Sequence, residues 1–276
     1  GSPADTSTES TLSLSLTDLR KEVGWYWLGE RTSSNWSTDE LSQIDDIINS
    51  GLRQFYHPAP GGLAPKGYKW SFMEPVTTLS TVAGTKDYTL SANFGGMIGI
   101  ATYATSDDRW SPIETTGEAR IRLLRQRDSG SEQSDPRFMA VRPKSSDGSN
   151  GQRFELMLWP TPDQAYTVSY RYHALPVKLT TGNPYPLGGE AHAETILASC
   201  LAVAEARQEN NAGIHAANFM QRLQASIAYD KQIHTPDVAG YNRDASDTVM
   251  MTEQDNRYVN GDVVKYNGSA FYDTNP

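Results

Sequence analysis

The densest run of chemically capable side chains is Gly117–Arg127 (GEARIRLLRQR), which carries Arg120, Arg122, Arg125 and Arg127. Planar guanidinium groups grip phosphate and carboxylate bidentately, so such a run is a candidate phosphate surface. The chain's formal net charge is -9. Against that background, a solvated helix face or a salt-bridging contact with another subunit is the stronger reading of the four arginines.

Two pairs of adjacent acids, Asp45-Asp46 and Asp107-Asp108, invite comparison with metal-dependent nucleases. The first falls on the polar side of a helical pattern and the second in a turn, where solvation is the default for carboxylates. In Glu190-Ala191-His192-Ala193-Glu194 the two-residue spacing sends His192 and its acidic neighbours to different sides of a helix. Helical metal ligands need spacings of three or four. Glu190 and Glu194 do share a face, and acids in a first turn complement the helix dipole. No phosphate-loop, dinucleotide or nucleophile-elbow pattern occurs. A single cysteine, Cys200, excludes an intrachain disulfide and a cysteine-based zinc site, and its apolar neighbours Ile196, Leu197 and Leu201 mark it as a buried small residue. The chain is therefore not read as an enzyme, and no catalytic, metal or cofactor residue is assigned. Trp25, Trp27 and Trp36, three of the six tryptophans, read as core or subunit interface.

These side chains need elements to position them. Residues 1–15, small and hydroxylated, read as a flexible N-terminal arm. Thr17 is the expected cap of a helix over Asp18–Leu28 that ends at Gly29. Ser37 and Glu40 form a capping box ahead of Leu41, Ile44, Ile48, Leu52 and Phe55, whose three- and four-residue spacing predicts an amphipathic helix stopping at Pro58. From Trp70 the period changes. Strands are expected at Val76–Val82, Lys86–Leu90, Met97–Tyr103, Phe138–Val141, Phe154–Trp159 and Tyr166–Tyr172, with one short helix at the arginine run. Tyr166, Val168, Tyr170 and Tyr172 fall on one strand face. The polar loops Asp128–Asp135 and Lys144–Gly151 are expected to be mobile. Helical spacing returns in Glu190–Glu209, with Ala193, Ile196, Leu197, Cys200, Leu201 and Ala204 on a stripe, and in Ile214–Ile233, with Phe219, Leu223 and Ile227. Near the end, Val263, Val264 and Tyr266, then Asn267-Gly268, then Phe271 and Tyr272 spell a hairpin with a type I′ turn. A lone hairpin is marginal in water, which points to pairing with a neighbouring chain.

The expected fold class is α+β: an antiparallel helical bundle (16–67 and 184–234) with an inserted antiparallel β domain (68–183), and extended arms at 1–15 and 235–276. Hydrophobic residues make up 37% of the 276 residues and mean hydropathy is -0.57, a composition that leans on partners for burial. An acidic chain is the wrong partner for tight phosphate binding, yet suits a channel through which DNA slides without sticking. No run reaches the length of a membrane span, and the start lacks the features of a signal peptide, so synthesis in the cytoplasm is expected.

With the helices and inserted sheet in place, the chain resembles the head-to-tail adaptor proteins of tailed bacteriophages (connector, head-completion or tail tubular A type). The stretches that carry the likeness are SQIDDIINSGLRQFYHP, VAGTKDYTLSANFGG, FELMLWPTPDQAYTVSYRY and YPLGGEAHAETILASCLAVAEARQ, within about residues 16–234. That resemblance implies a virion neck protein: a dodecameric homo-oligomeric ring beneath the portal, extending the DNA channel for packaged DNA without sequence-specific binding. It also implies docking of a downstream tail or nozzle protein, and termini that order only on assembly. Tyr258, Val263, Val264, Tyr266, Phe271 and Tyr272, with Arg120, Arg122, Arg125 and Arg127, are the candidate subunit or portal interface. The long C-terminal segment departs from short family members, and YVNGDVVKYNGSAFYDT is similar in texture to small carbohydrate-binding modules. The alternative function is therefore a carbohydrate- or surface-binding virion module acting through that hairpin.

Overall fold

Ser15, not Thr17, starts the first helix, α1 (Leu16–Leu28): its hydroxyl accepts from the Asp18 N–H while the Asp18 carboxylate accepts from the Ser15 N–H. Only Ser15 has an acid three residues on to close this reciprocal box, whereas Thr17 is followed by Arg20. The Ser15 hydroxyl also donates to the Asp18 carboxylate and holds its pKa below the ordinary value. Gly29, left-handed at φ 73°, ends the helix by donating its N–H to Trp25 O. The second helix, α2 (Thr38–Tyr56), carries the expected box between Ser37 and Glu40 and buries Ile44, Ile47, Ile48, Leu52 and Phe55. The structure, a computed structural model, describes residues 10–59, 67–107, 109, 111–127, 132–144, 148–149, 151–209, 213–233, 263–266 and 269–272.

Two more long helices, α4 (Glu190–Glu209) and α5 (Ile214–Ile233), follow the sheets in sequence. Residues from α1, α2 and α4 share one apolar core with Phe219, Leu223 and Ile227 of α5. The approach of α2 to α4 is close because position 51 is glycine: a Cβ there would lie 2.7 Å from the Cys200 Cα. Hydroxyl and carboxylate groups of α4 drawn into this core find partners. Ser199 donates to Gly51 O at 2.7 Å, and the hydroxyls of Thr195 and Ser226 are paired at 2.7 Å. Glu205, also buried, accepts from the N–H groups of Gly213, His215 and Ala216, and so caps α5 from the preceding helix. The end of the expected N-terminal arm joins this core too: Ser13 is buried and Leu14 packs against it, while residues 1–9 lie outside the described residues.

Between α2 and α4 in sequence lie seven strands and the short helix α3 (Glu118–Arg127). Strands β1 (Val76–Ser80), β7 (Thr167–Ala174) and β3 (Phe94–Tyr103) form one antiparallel sheet in that order. The second sheet runs β2 (Asp87–Thr89), β6 (Arg153–Trp159), β5 (Phe138–Lys144), β4 (Glu114–Thr115). The expectation of a wholly antiparallel domain is corrected by β4, which pairs parallel with β5. Two residues are too few to show a period, so nothing in the sequence marked it. A further difference is that β3 begins at Phe94 rather than Met97, carrying Gly95 and Gly96 into the sheet with register shifts on either side of Met97 and Ile98.

Burial explains why FELMLW is an almost continuous apolar run. Leu156 and Leu158 of β6 face a core shared with Met139, Val168, Tyr170 and Tyr172, whereas Met157 faces the opposite side, under Ile121 of α3. A strand covered on both faces loses its alternation. The described residues up to Ala228 form one compact unit and those from Tyr229 onward belong to a second. In the second, β8 (Val263–Tyr266) pairs antiparallel with β9 (Ser269–Tyr272), setting Val263 opposite Tyr272 and Val264 opposite Phe271. The described fold is mixed α+β, with five α-helices, two larger sheets and this hairpin.

Candidate assembly surfaces

The arginine helix is seated by a single fully buried side chain, Ile121, and its guanidinium groups divide between two roles. Arg125 is committed inside the subunit. Its side chain is only 12% exposed, and Nη2 reaches the Asp87 carboxylate and the carbonyls of Lys86 and Leu158, each at 2.9 Å. That ties α3 to the second sheet and withdraws Arg125 from any outward contact. The other three point outward or lie flat. Arg120 stands 4.6 Å over the Phe138 ring, Arg122 pairs with Glu118 at 2.8 Å with its own side chain 65% exposed, and Arg127 is exposed.

Sequence reasoning missed Arg142, the hub of this region. It bonds Glu155 at 2.6 Å and lies 3.6 Å from Asp87 and 3.9 Å from Glu118. The Glu155 hydrogen bond raises the Arg142 pKa above its ordinary value. Arg142 and Glu155 are cross-strand partners in the β5–β6 register, so the only signal was opposite charge on two strands whose register the sequence leaves open.

Other sequence candidates resolve into structural roles. Asp45 forms a two-pronged pair with Arg20 at 2.8 Å, and the Asp107 carboxylate accepts the Thr167 N–H; Asp108 lies outside the described residues. Glu194 pairs with Arg222. His192 is buried among the rings of Phe55, Trp70 and Phe72, at 5.9, 5.1 and 5.2 Å. Among the described residues no group of three or more His, Cys, Asp or Glu side chains is placed to hold a metal ion, and no helix is long and apolar enough to cross a membrane. Trp27 and Trp36 pack against the helical core, whereas Trp25 is exposed with Arg31 over its ring.

Of the hairpin candidates, Val263, Val264, Tyr266, Phe271 and Tyr272 lie on the paired strands β8 and β9. Tyr258 and the Asn267-Gly268 turn lie outside the described residues. A second surface, unmarked by any sequence motif, is the outer edge of β1, where Val76 is 66% exposed and the nearby Val82 58%.

A family model described as SU10 adaptor protein matches residues 14–246, a span that takes in α1 to α5 and the seven strands of the two larger sheets and ends before the hairpin. No curated protein matches the chain.

Proposed function

Because the chain belongs to the SU10 adaptor protein family, we propose that it acts in the neck of a tailed phage virion as a dodecameric ring beneath the portal. The family assignment makes it a structural adaptor and a virion component. The ring extends the DNA channel and presents a platform for the downstream tail or nozzle protein. The observation that carries this reading is the extent of the family match, which runs through both the helices and the sheets. Charge supports it: at -9 the chain repels the DNA backbone, as the wall of a sliding channel should. In this reading the outward arginines of α3, Arg120, Arg122 and Arg127, and the C-terminal hairpin serve as contacts with neighbouring subunits or the portal.

The test is native mass spectrometry with negative-stain class averages of the purified chain, alone and mixed with candidate portal rings. A twelve-fold ring seated on a portal is the expected result. A stable monomer that ignores every portal offered would overturn the reading.

A further inference from the structure

We propose that the outer edge of β1 accepts a β-strand from the C-terminal hairpin, Val263–Tyr272, of a second copy of this chain. The inference rests on the adaptor reading, which supplies neighbouring copies at high local concentration.

The edge is built to pair. The Tyr172 N–H donates to Pro75 O and the Thr81 N–H donates to Tyr166 O, which fixes the phase of the β1–β7 ladder. In antiparallel pairing the hydrogen-bonding direction alternates along the strand. Thr77 and Leu79 therefore turn their N–H and C=O groups to β7, while Val76, Thr78 and Ser80 turn theirs outward. Among the described residues no strand lies on that side. Natural edges are blunted by charge, proline, bulges or brevity. β1 has none of these along Val76–Ser80: its register with β7 is uninterrupted, and its sequence VTTLS is uncharged, with β-branched Val76, Thr77 and Thr78. The other edges are defended. β2 has three residues and β4 two, and β3 is broken by two register shifts and bridged at Ala101 to Ile113.

The occupant is the C-terminal hairpin, whose strands among the described residues pair only with each other. A two-stranded hairpin is marginal alone and gains from a third strand, and β8–β9 forms a sheet distinct from β1–β7–β3. Its strands VVKY and SAFY have four residues each, close to the five of β1, with Lys265 their sole charge. Residues 234–262 separate α5 from β8 in sequence, and a chain of that length spans at most about 100 Å, which does not confine the hairpin to its own copy. Main-chain bonds give such an addition its affinity, and the alternate side chains give its register.

The experiment uses the full chain. Thr78→Pro removes one outward N–H and no bond to β7, a position at which an edge strand tolerates proline. Self-association by native mass spectrometry is expected to weaken about tenfold, with the thermal transition unchanged. Should that variant fold poorly, cysteine pairing decides. Thr78→Cys on one chain is mixed with Ser269→Cys, Ala270→Cys or Phe271→Cys on another, the natural Cys200 being buried. A disulfide between the two different chains is the supporting result. Cross-linking only when both cysteines share one chain overturns the proposal, as does a folded Thr78→Pro chain that associates like the unsubstituted one. If that chain still forms rings on a portal, the adaptor reading survives its loss. Failure of the unsubstituted chain to assemble at all would sink both.

Discussion

Helices α4 and α3 have nearly opposite compositions and are held in opposite ways. α4 is rich in Ala, and its small side chains let it sink against α2 at Gly51 and against α5 through Thr195 and Ser226. Each hydroxyl or carboxylate carried inward finds a partner within the core. α3, by contrast, buries Ile121 and is otherwise fastened to a sheet by guanidinium groups, Arg125 reaching Asp87 and Arg142 reaching back to Glu118. Apolar burial is not weakened by charge screening, whereas half-exposed ion pairs contribute about 1 kcal/mol or less each and are screened. The difference teaches where each region can change. The helical core tolerates little substitution, and the sheet surface is adjustable through charge.

The comparison can be broken or sharpened in order of expected effect. Phe55→Ala, at a fully buried ring 4.6 Å from Trp70, should cost about 4 kcal/mol in denaturant unfolding. A loss below that of a surface change would deny the helical core its dominant role. Gly51→Ala should cost about 3 kcal/mol, since the new methyl meets backbone as well as Sγ of Cys200; a neutral outcome would mean the helices part easily. On the sheet side, Arg142→Met should cost about 1 kcal/mol in dilute buffer and less in 1 M salt, its side chain being 32% exposed. A loss that ignores salt would erase the contrast.

Acid offers a sharper probe. Desolvation first, then Lys69 and His57, depress the His173 pKa below its ordinary 6.5. A histidine held neutral contributes stability that is present above pH 6.5 and is lost as pH falls from there toward its folded value. The thermal midpoint of His173→Gln should therefore decline less on acidification below pH 6.5 than that of the unsubstituted chain. The smallest expected effect on folding is that of deleting residues 237–276: an unchanged thermal transition in calorimetry, together with impaired docking to a portal. Loss of the transition would put that tail in the core.

Much of the helical region was legible because caps and periodicity are local. The Ser37 box, the limits Glu190–Glu209 and Ile214–Ile233, and the burial of Phe219, Leu223 and Ile227 all follow from residues near in sequence. The stripe read on α4 was incomplete for a physical reason. Ala198, Ser199, Ala202 and Glu205 are buried as well, because small residues admit neighbours on more than one side, and a periodicity argument weighs them lightly. The sheet was legible as strands but not as pairings: β4 is too short to mark itself, and Arg142 gains its partners only through register. Of the candidate interface, the arginine run gave no sign that Arg125 would turn inward, since that depends on carbonyls of Lys86 and Leu158 brought up by folding.

Cys200 has a consequence for timing. Its thiol is fully buried where α2 and α4 meet, and burial pushes its pKa up to about 12. Near neutral pH almost no thiolate forms in the closed protein, and a labelling reagent must wait until the two helices separate. The rate at which this single thiol is modified is therefore a clock for helix opening, readable in free subunits and in any assembly they form, without introducing a reporter.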